Sequence, residues 1–190
     1  MKKIFVSRKL LKFNEEVISK IWDCKLNVED KIYSQKEFIE LSKDCDGILS
    51  SITDKIDKET INNLSKKVKI ISNVAVGFGN IDIKSARERN IIVTNTPDVL
   101  TDATAEIAML LILGACRRVN EGIKWANNKQ WIWSHNFLVG KQLSESRLGI
   151  LGMGRIGRAV AKRARAFGMK IHYHNRTRLE PSLEEGAIYH

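Results

Sequence analysis

Within residues 148–158 an apolar stretch, Leu148-Gly149-Ile150-Leu151, runs straight into Gly152-Met153-Gly154-Arg155-Ile156-Gly157. A strand, a G-x-G-x-x-G turn and a helix start in immediate succession are the order a dinucleotide pyrophosphate site requires. Gly152 allows the tight turn out of the strand, Gly154 lets the backbone approach the pyrophosphate, and Gly157 lets helix and strand pack closely. The anion then rests on unpaired backbone N–H groups at the positive end of the helix dipole.

The residues that follow agree with this reading. Ile156, Val160, Ala164 and Phe167 share one face at helical spacing, and Arg158, Lys162 and Arg165 share the opposite one. Gly168 stops the helix and Lys170 to His174 forms the next strand. About 20 residues past the first glycine, an Asp or Glu usually takes the ribose hydroxyls of NAD. Here the position is Asn175, with Arg176, Thr177 and Arg178 after it. A carboxylate repels a 2′-phosphate, whereas a neutral amide beside two guanidiniums attracts one, so NADP(H) is expected in preference to NAD(H). The same arginines also suit a plain solvated turn.

Composition narrows the partners. A chain of 190 residues has room for one domain or two small ones, and 43% hydrophobic residues is ordinary for a globular protein. Met1-Lys2-Lys3 resembles the start of an export signal, but Ser7-Arg8-Lys9 interrupts the apolar run at once. The longest apolar run, Ile107 to Cys116, is about half a membrane span. No membrane partner is therefore expected. Cys24, Cys45 and Cys116 are odd in number and far apart, which fits reduced cytoplasmic thiols better than a disulfide framework or a metal site. The net charge of +10 could signal a nucleic-acid surface, and eight basic residues but no acid lie between Arg155 and Arg178. No aromatic–basic interleaving, helix-turn-helix pattern or zinc-finger spacing supports that, so a phosphate-bearing cofactor is the simpler account and no nucleic-acid partner is expected.

Along the chain, short β-like runs alternate with helical ones. Lys3 to Val6 is a strand, and Asn14 is placed to cap a helix turning Val17, Ile18, Ile21 and Trp22 inward. Ser34-Gln35-Lys36-Glu37 forms a capping box, and Gly47-Ile48-Leu49 a core strand. Asp57 starts a short helix, Val68 to Ser72 is a strand, Asp82 caps a helix ending near Asn90, and Ile91-Ile92-Val93 closes the series. Such alternation means parallel strands joined by helical crossovers. Pro97 punctuates the end of this first region, residues 1–98. A long helix capped by Thr101 or Asp102 follows, so apolar from Ala105 to Cys116 that it should be buried between layers or subunits. Trp125, Trp131 and Trp133 fall within nine residues and suit either a contact surface or core packing.

Three motifs in order carry a specific resemblance. They are Asn73-Val74-Ala75-Val76-Gly77-Phe78-Gly79-Asn80-Ile81-Asp82, then Asn95-Thr96-Pro97-Asp98 leading into Ala103-Thr104-Ala105-Glu106, then the glycine fingerprint. Together they resemble the D-isomer-specific 2-hydroxyacid dehydrogenases. Trp133-Ser134, Phe137-Leu138 and the His174-to-Arg178 turn make the chain most similar to the glyoxylate/hydroxypyruvate reductases of that family. The resemblance implies a flavodoxin-like parallel-sheet substrate domain over 1–98, followed over 99–190 by an incomplete Rossmann dinucleotide-binding domain. It implies that the backbone amides of Val76 and Gly77 hold a substrate carboxylate, and that Trp133 reaches toward a partner subunit's site. Thr104 would face the nicotinamide half. Gly152, Met153, Gly154, Arg155, Ile156 and Gly157 would hold the pyrophosphate, and Asn175, Arg176, Thr177 and Arg178 the adenosine ribose and its phosphate. A homodimer and a small 2-keto acid substrate are implied as well.

Such enzymes use an Arg to orient substrate and a Glu-polarised His to protonate the carbonyl oxygen. These groups are expected beyond His190, so no catalytic residue is assigned within this sequence, and the chain reads as a truncated reductase, inactive alone. The alternative is a non-catalytic nucleotide- or protein-binding module derived from the family. With Leu148 to Leu151 as a strand lacking one neighbour, a marginally stable chain that aggregates or pairs with another is expected.

Overall fold

The alternation of short apolar runs with capped helices builds two parallel sheets. The computed structural model describes residues 1–128 and 133–190, in two compact units, Met1–Pro97 and Asp98–His190.

The first unit runs β1 (Lys3–Val6), α1 (Lys12–Ile21), β2 (Asp23–Lys25), α2 (Gln35–Ser42), β3 (Gly47–Ser51), α3 (Lys58–Asn63), β4 (Ile70–Val74), α4 (Ile83–Glu88) and β5 (Ile92–Thr94). Its strands are all parallel, in the order β2-β1-β3-β4-β5, the flavodoxin-like arrangement. Phe5, Phe38, Ile48, Ile61 and Ile71 lie at the centre of its core, and the Phe5 and Phe38 rings meet edge to face at 5.4 Å. Ser34 caps α2 through a reciprocal box: its hydroxyl accepts from the Glu37 N–H at 3.3 Å, and the Glu37 carboxylate accepts from the Ser34 N–H at 2.9 Å. Asp57 and Asp82 cap α3 and α4 as their positions suggest.

The second unit runs α5 (Thr101–Cys116), α6 (Val119–Asn127), β6 (Arg147–Leu151), α7 (Arg155–Ala166), β7 (Lys170–His174), α8 (Pro181–Glu184) and β8 (Ile188–Tyr189). Its three strands are parallel in the order β6-β7-β8, the first half of a Rossmann sheet. Ala105 and Met109 of α5 pack in one core with Val160, Ala161 and Ala164 of α7 and with Ile171 and Tyr173 of β7. Gly168, at φ +73°, ends α7.

Several local expectations are corrected. Asn14 lies inside α1, which starts at Lys12 with Leu11 as an N-cap lacking a side-chain bond. The Glu15 carboxylate accepts from the Leu10 N–H at 3.0 Å, one residue before that N-cap, and so ties the incoming chain to the helix rather than capping it. The stripe expected to face inward on α1 is largely exposed: Val17, Ile21 and Trp22 are solvent-accessible, and no α1 residue is fully buried. Strand β4 begins at Ile70 rather than Val68. Neither Thr101 nor Asp102 caps α5, whose N-cap is Leu100: both lie inside its first turn, where the Asp102 carboxylate meets Arg163 at 2.9 Å. The apolar α5 is not buried all round. Only Ala105 and Met109 are fully covered, while Ile107, Leu110 and Leu111 are 56%, 62% and 66% exposed. On α7, Val160 and Ala164 are buried, but Phe167 is the C-cap residue and is exposed. Of the tryptophan cluster, Trp125 meets the Phe137 ring at 5.4 Å, and Trp131 lies outside the described residues. Among the described residues no helix is long and apolar enough to cross a membrane.

Replacing Ser34 by Ala should remove about 1 kcal/mol of stability. Calorimetry should show a transition lowered by roughly 4–8 °C for the first unit and unchanged for the second. An unshifted first transition would show that the box contributes nothing.

Candidate functional site

The strand-to-helix junction of the second unit carries the geometry that its glycines suggest. The Gly152 N–H, at the end of β6, donates to the His174 carbonyl at 3.0 Å, and Gly152 turns the chain at φ +97°. Helix α7 opens with the Arg158 N–H donating to the Gly154 carbonyl at 2.9 Å, which leaves the first-turn amides of Arg155, Ile156 and Gly157 without intrahelical acceptors. A side chain added at Gly157 would collide with the Gly152 carbonyl oxygen and meet Ile150 Cγ2 at 3.3 Å, so helix and turn touch backbone to backbone there. One added at Gly154 would meet nothing within 4 Å. The open space lies beside the helix N-terminus, where an anion is favoured.

A cleft of ≈ 640 Å³ adjoins this loop, lined by Leu151, Gly152, Met153, Gly154, His174, Asn175, Arg176, Thr177 and Leu179. The structure thus brings together Gly152, Met153 and Gly154 with Asn175, Arg176 and Thr177. Asn175 does more than line the cleft: its Oδ1 accepts from the Met153 N–H at 2.6 Å, tying the turn after β7 to the glycine loop. Arg178 is placed differently. Its Nε and Nη2 donate to the Glu184 carboxylate at 2.7 and 3.0 Å, and its guanidinium lies 5.7 Å from the centre of the Tyr189 ring. Arg155 forms an exposed ion pair with Asp98 at 2.7 Å, of the kind that contributes little to stability. Thr104 sits exposed in the first turn of α5. Trp133 is exposed, its ring edge-on to His135 at 5.0 Å. Among the described residues no three His, Cys, Asp or Glu side chains gather to hold a metal.

Sequence reasoning missed the support beneath this turn. Tyr173 donates its hydroxyl to Glu184 at 2.6 Å and accepts from the Leu179 N–H at 3.2 Å. The Tyr189 hydroxyl donates to the Asn175 carbonyl at 3.1 Å, and Arg165 donates to the Glu184 carbonyl at 2.8 Å. The bonds from Arg178, then from Tyr173, hold the Glu184 carboxyl down at about 2. Desolvation first, then the neighbouring Glu184 carboxylate, pushes the Tyr173 hydroxyl up. The signal in the sequence is slight: Tyr173 shares with Ile171 the strand face opposite His172 and His174.

In the first unit, Val76 and Gly77 lie in the loop after β4. Among the described residues neither N–H meets an acceptor within the chain. The Gly77 carbonyl accepts from Asn73 Nδ2 at 3.0 Å and the Val76 carbonyl from Asn95 Nδ2 at 2.8 Å. Asn80 Nδ2 in turn donates to the Ser51 and Asp54 carbonyls, both at 3.1 Å, and Asn73 Oδ1 accepts from the Ser50 hydroxyl at 3.0 Å. Side-chain amides thus hold both carbonyls of this loop, while its two N–H groups are left without partners among the described residues.

Parallel α/β units with a glycine-rich strand–turn–helix define a broad class of nucleotide-handling folds. The sequence model of the D-isomer specific 2-hydroxyacid dehydrogenase catalytic domain matches residues 4–184. The glyoxylate reductase of Thermococcus litoralis is 41% identical over 193 residues, covering 98% of this chain and 58% of its own length. A crystal structure from Polaromonas sp. JS6 66, assigned as an NAD-binding D-isomer specific 2-hydroxyacid dehydrogenase, superposes with a TM-score of 0.91 at 43% identity, covering 100% of this chain and 60% of that one. A glyoxylate reductase from Paecilomyes thermophila gives a TM-score of 0.82 at 34% identity, with 99% and 60% covered. The chain belongs to the D-isomer specific 2-hydroxyacid dehydrogenase family, whose members are NAD(P)-dependent dehydrogenases. It spans about 58% of the length of the Thermococcus litoralis relative.

Two outcomes check the site. Gly157→Ala should cost roughly 1–3 kcal/mol through overpacking, whereas Gly154→Ala should leave the melting temperature unchanged; equal melting of both variants would refute the close approach. Glu184 titrates from an ordinary value of 4.5 down to about 2 on folding, so its contribution is complete above the unfolded value and is lost as pH falls toward 2. Melting curves over that interval should therefore slope less for Glu184→Gln than for the unmodified chain, and parallel slopes would count against the assignment.

Proposed function

We propose that this chain supplies the nucleotide grip and the carboxylate seat of an NAD(P)H-dependent reductase that converts a small 2-keto acid, of the glyoxylate or hydroxypyruvate type, to its D-2-hydroxy acid. The observation that carries the reading is the open space over Gly154 beside the α7 N-terminus, facing a turn of amide and guanidinium groups. A diphosphate fits there because the first-turn amides of α7 offer donors and no side chain intrudes. On this reading residues 1–98 form the substrate domain and 99–190 the dinucleotide-binding portion.

Each group then has a task. The Val76 and Gly77 amides hold the substrate carboxylate, and Thr104 flanks the nicotinamide half. Gly152, Met153, Gly154, Arg155, Ile156 and Gly157 surround the pyrophosphate, with the Asn175–Thr177 turn at the adenosine ribose. The reduced nicotinamide, when bound, supplies hydride to the keto carbon. No side chain of this chain is assigned to protonate the carbonyl oxygen, since His174 lies at the adenosine end of the cleft and a donor must reach the reacting oxygen. An uncharged Asn175 supports NADP(H) over NAD(H). Free cysteines at 24, 45 and 116 suit a reducing cytoplasm.

We further propose a homodimer through α5 and α6, where Ile107, Leu110, Leu111, Val119 and Ile123 are exposed together with half-open Trp125. An apolar surface of this kind in a folded chain marks an association face. Light scattering should find a dimer that Leu111→Glu converts to monomer; a monomeric unmodified chain would refute it.

Titration by tryptophan fluorescence at matched ionic strength should give NADPH about tenfold tighter binding than NADH. The same preparation should show no glyoxylate-dependent NADPH oxidation. Equal affinities would overturn the cofactor preference, and a measurable turnover would overturn the assignment of no acid.

A further inference from the structure

Strand β7 turns two imidazoles to one side. His172 and His174 stand two residues apart, on the face opposite Ile171 and Tyr173. Pairing of β7 with β8 sets Ile188 beside His172 and Tyr189 beside Tyr173, so His190 falls on the histidine face as well. Its backbone is held on both sides: the His190 N–H donates to the Tyr173 carbonyl at 3.0 Å, and its carbonyl accepts from His174 Nδ1. His174 in turn stacks on the Tyr189 ring, 5.8 Å away and 15° from parallel. With its backbone fixed in this way, His190 lays its ring against that of His172, centroids 5.0 Å apart and planes 21° from parallel. His190 Nε2 comes to 2.7 Å from His172 Nδ1. The opposite nitrogens, His172 Nε2 and His190 Nδ1, meet no partner among the described residues. His190 is exposed and His172 half-buried. Level with His172 on β6 is Gly149, where even an added side chain would meet nothing within 4 Å. The paired nitrogens therefore lie on an open face.

We propose that His172 and His190 form a two-imidazole chelate for a borderline divalent ion, with copper(II) the preferred one and water in the remaining positions. Imidazole suits such ions. Two nitrogens each about 2.0 Å from one ion stand about 2.8 Å apart when adjacent in a square-planar shell and about 3.3 Å apart in a tetrahedral one. The observed 2.7 Å matches the first arrangement, which copper(II) and nickel(II) adopt, rather than the tetrahedral shell of zinc(II). A hydrogen bond between the rings uses one proton and one lone pair, whereas chelation uses two lone pairs. The shared proton therefore moves through solvent to the free nitrogen of its own ring, and both rings stay neutral. Lys170 shares the face of His172 and lies opposite Arg147 in register, so no negative field draws a cation there. Binding comes from the nitrogen lone pairs alone, which excludes a hard ion such as magnesium, whose ligands are oxygens. No third His, Cys, Asp or Glu among the described residues completes the shell, so the ion stays exchangeable. Once bound, it ties β8 to β7 through side chains, where a ladder of two residue pairs otherwise joins them.

The test uses the complete 190-residue chain without a polyhistidine tag, titrated by calorimetry with copper(II), nickel(II), zinc(II) and magnesium chlorides. Copper should bind as a single ion per chain and raise the melting temperature of the second unit. Nickel should bind ahead of zinc, and magnesium should give no heat. Electron paramagnetic resonance of the copper form should show coupling to two imidazole nitrogens. His172→Ala and His190→Ala should each weaken copper at least about tenfold, the lower end of what losing even an outer partner of a metal ligand costs. His172→Gln keeps a hydrogen-bonding side chain on the strand and should weaken copper equally while melting without metal stays unchanged, which separates loss of the ligand from loss of the fold. His135→Ala should leave copper binding as it was. An unmodified chain that takes up no copper overturns the inference. So does copper retained when His172 and His190 are both replaced, an equal loss in His135→Ala, or zinc bound more tightly than nickel.

Discussion

The contact between Gly157 and the Gly152 carbonyl is what the second unit depends on. Because the two backbones touch without a side chain between them, α7 starts close to the turn that ends β6, and the space at Gly154, its N-cap residue, stays open. The cleft beside the glycine loop is built around that junction. Leu151 pairs with His174 in register, so the residue after His174 lands beside the glycine loop, and Asn175 reaches the Met153 N–H. A methyl group at residue 157 would lift the helix and break the alignment of loop and turn together.

The first unit solves a similar problem by other means. In the loop after β4 the Gly77 carbonyl is held by Asn73 and the Val76 carbonyl by Asn95. Buried amide side chains are costly unless satisfied. Here each meets a partner, and no buried side-chain polar atom among the described residues lacks one. A loop held in this manner keeps its backbone fixed without any charged side chain.

Much of this could be read in the residues themselves. Strand and helix types followed from apolar spacing, Ser34, Asp57 and Asp82 announced helix starts by their chemistry, and the glycine triplet announced its own turn. What escaped was decided by competition between partners. Asn14 and Asp102 are good caps in isolation, but both fall inside their helices, where Asp102 pairs with Arg163 instead. The pairing of Arg178 with Glu184 was not legible either, since nothing in the local sequence says that Glu184 folds back onto it. The exposure of α5 was illegible for a different reason: an apolar helix states that something covers it, not what.

Strand β6 has consequences beyond the site. It is the outermost strand of its sheet, Leu151 at its end is 89% exposed, and its sequence, Arg147 to Leu151, contains no proline and one charge. Nothing along it discourages main-chain pairing with another extended segment. Pairing of that kind would be bimolecular, so its extent would climb with concentration, and a complementary strand placed on the same edge would compete with it.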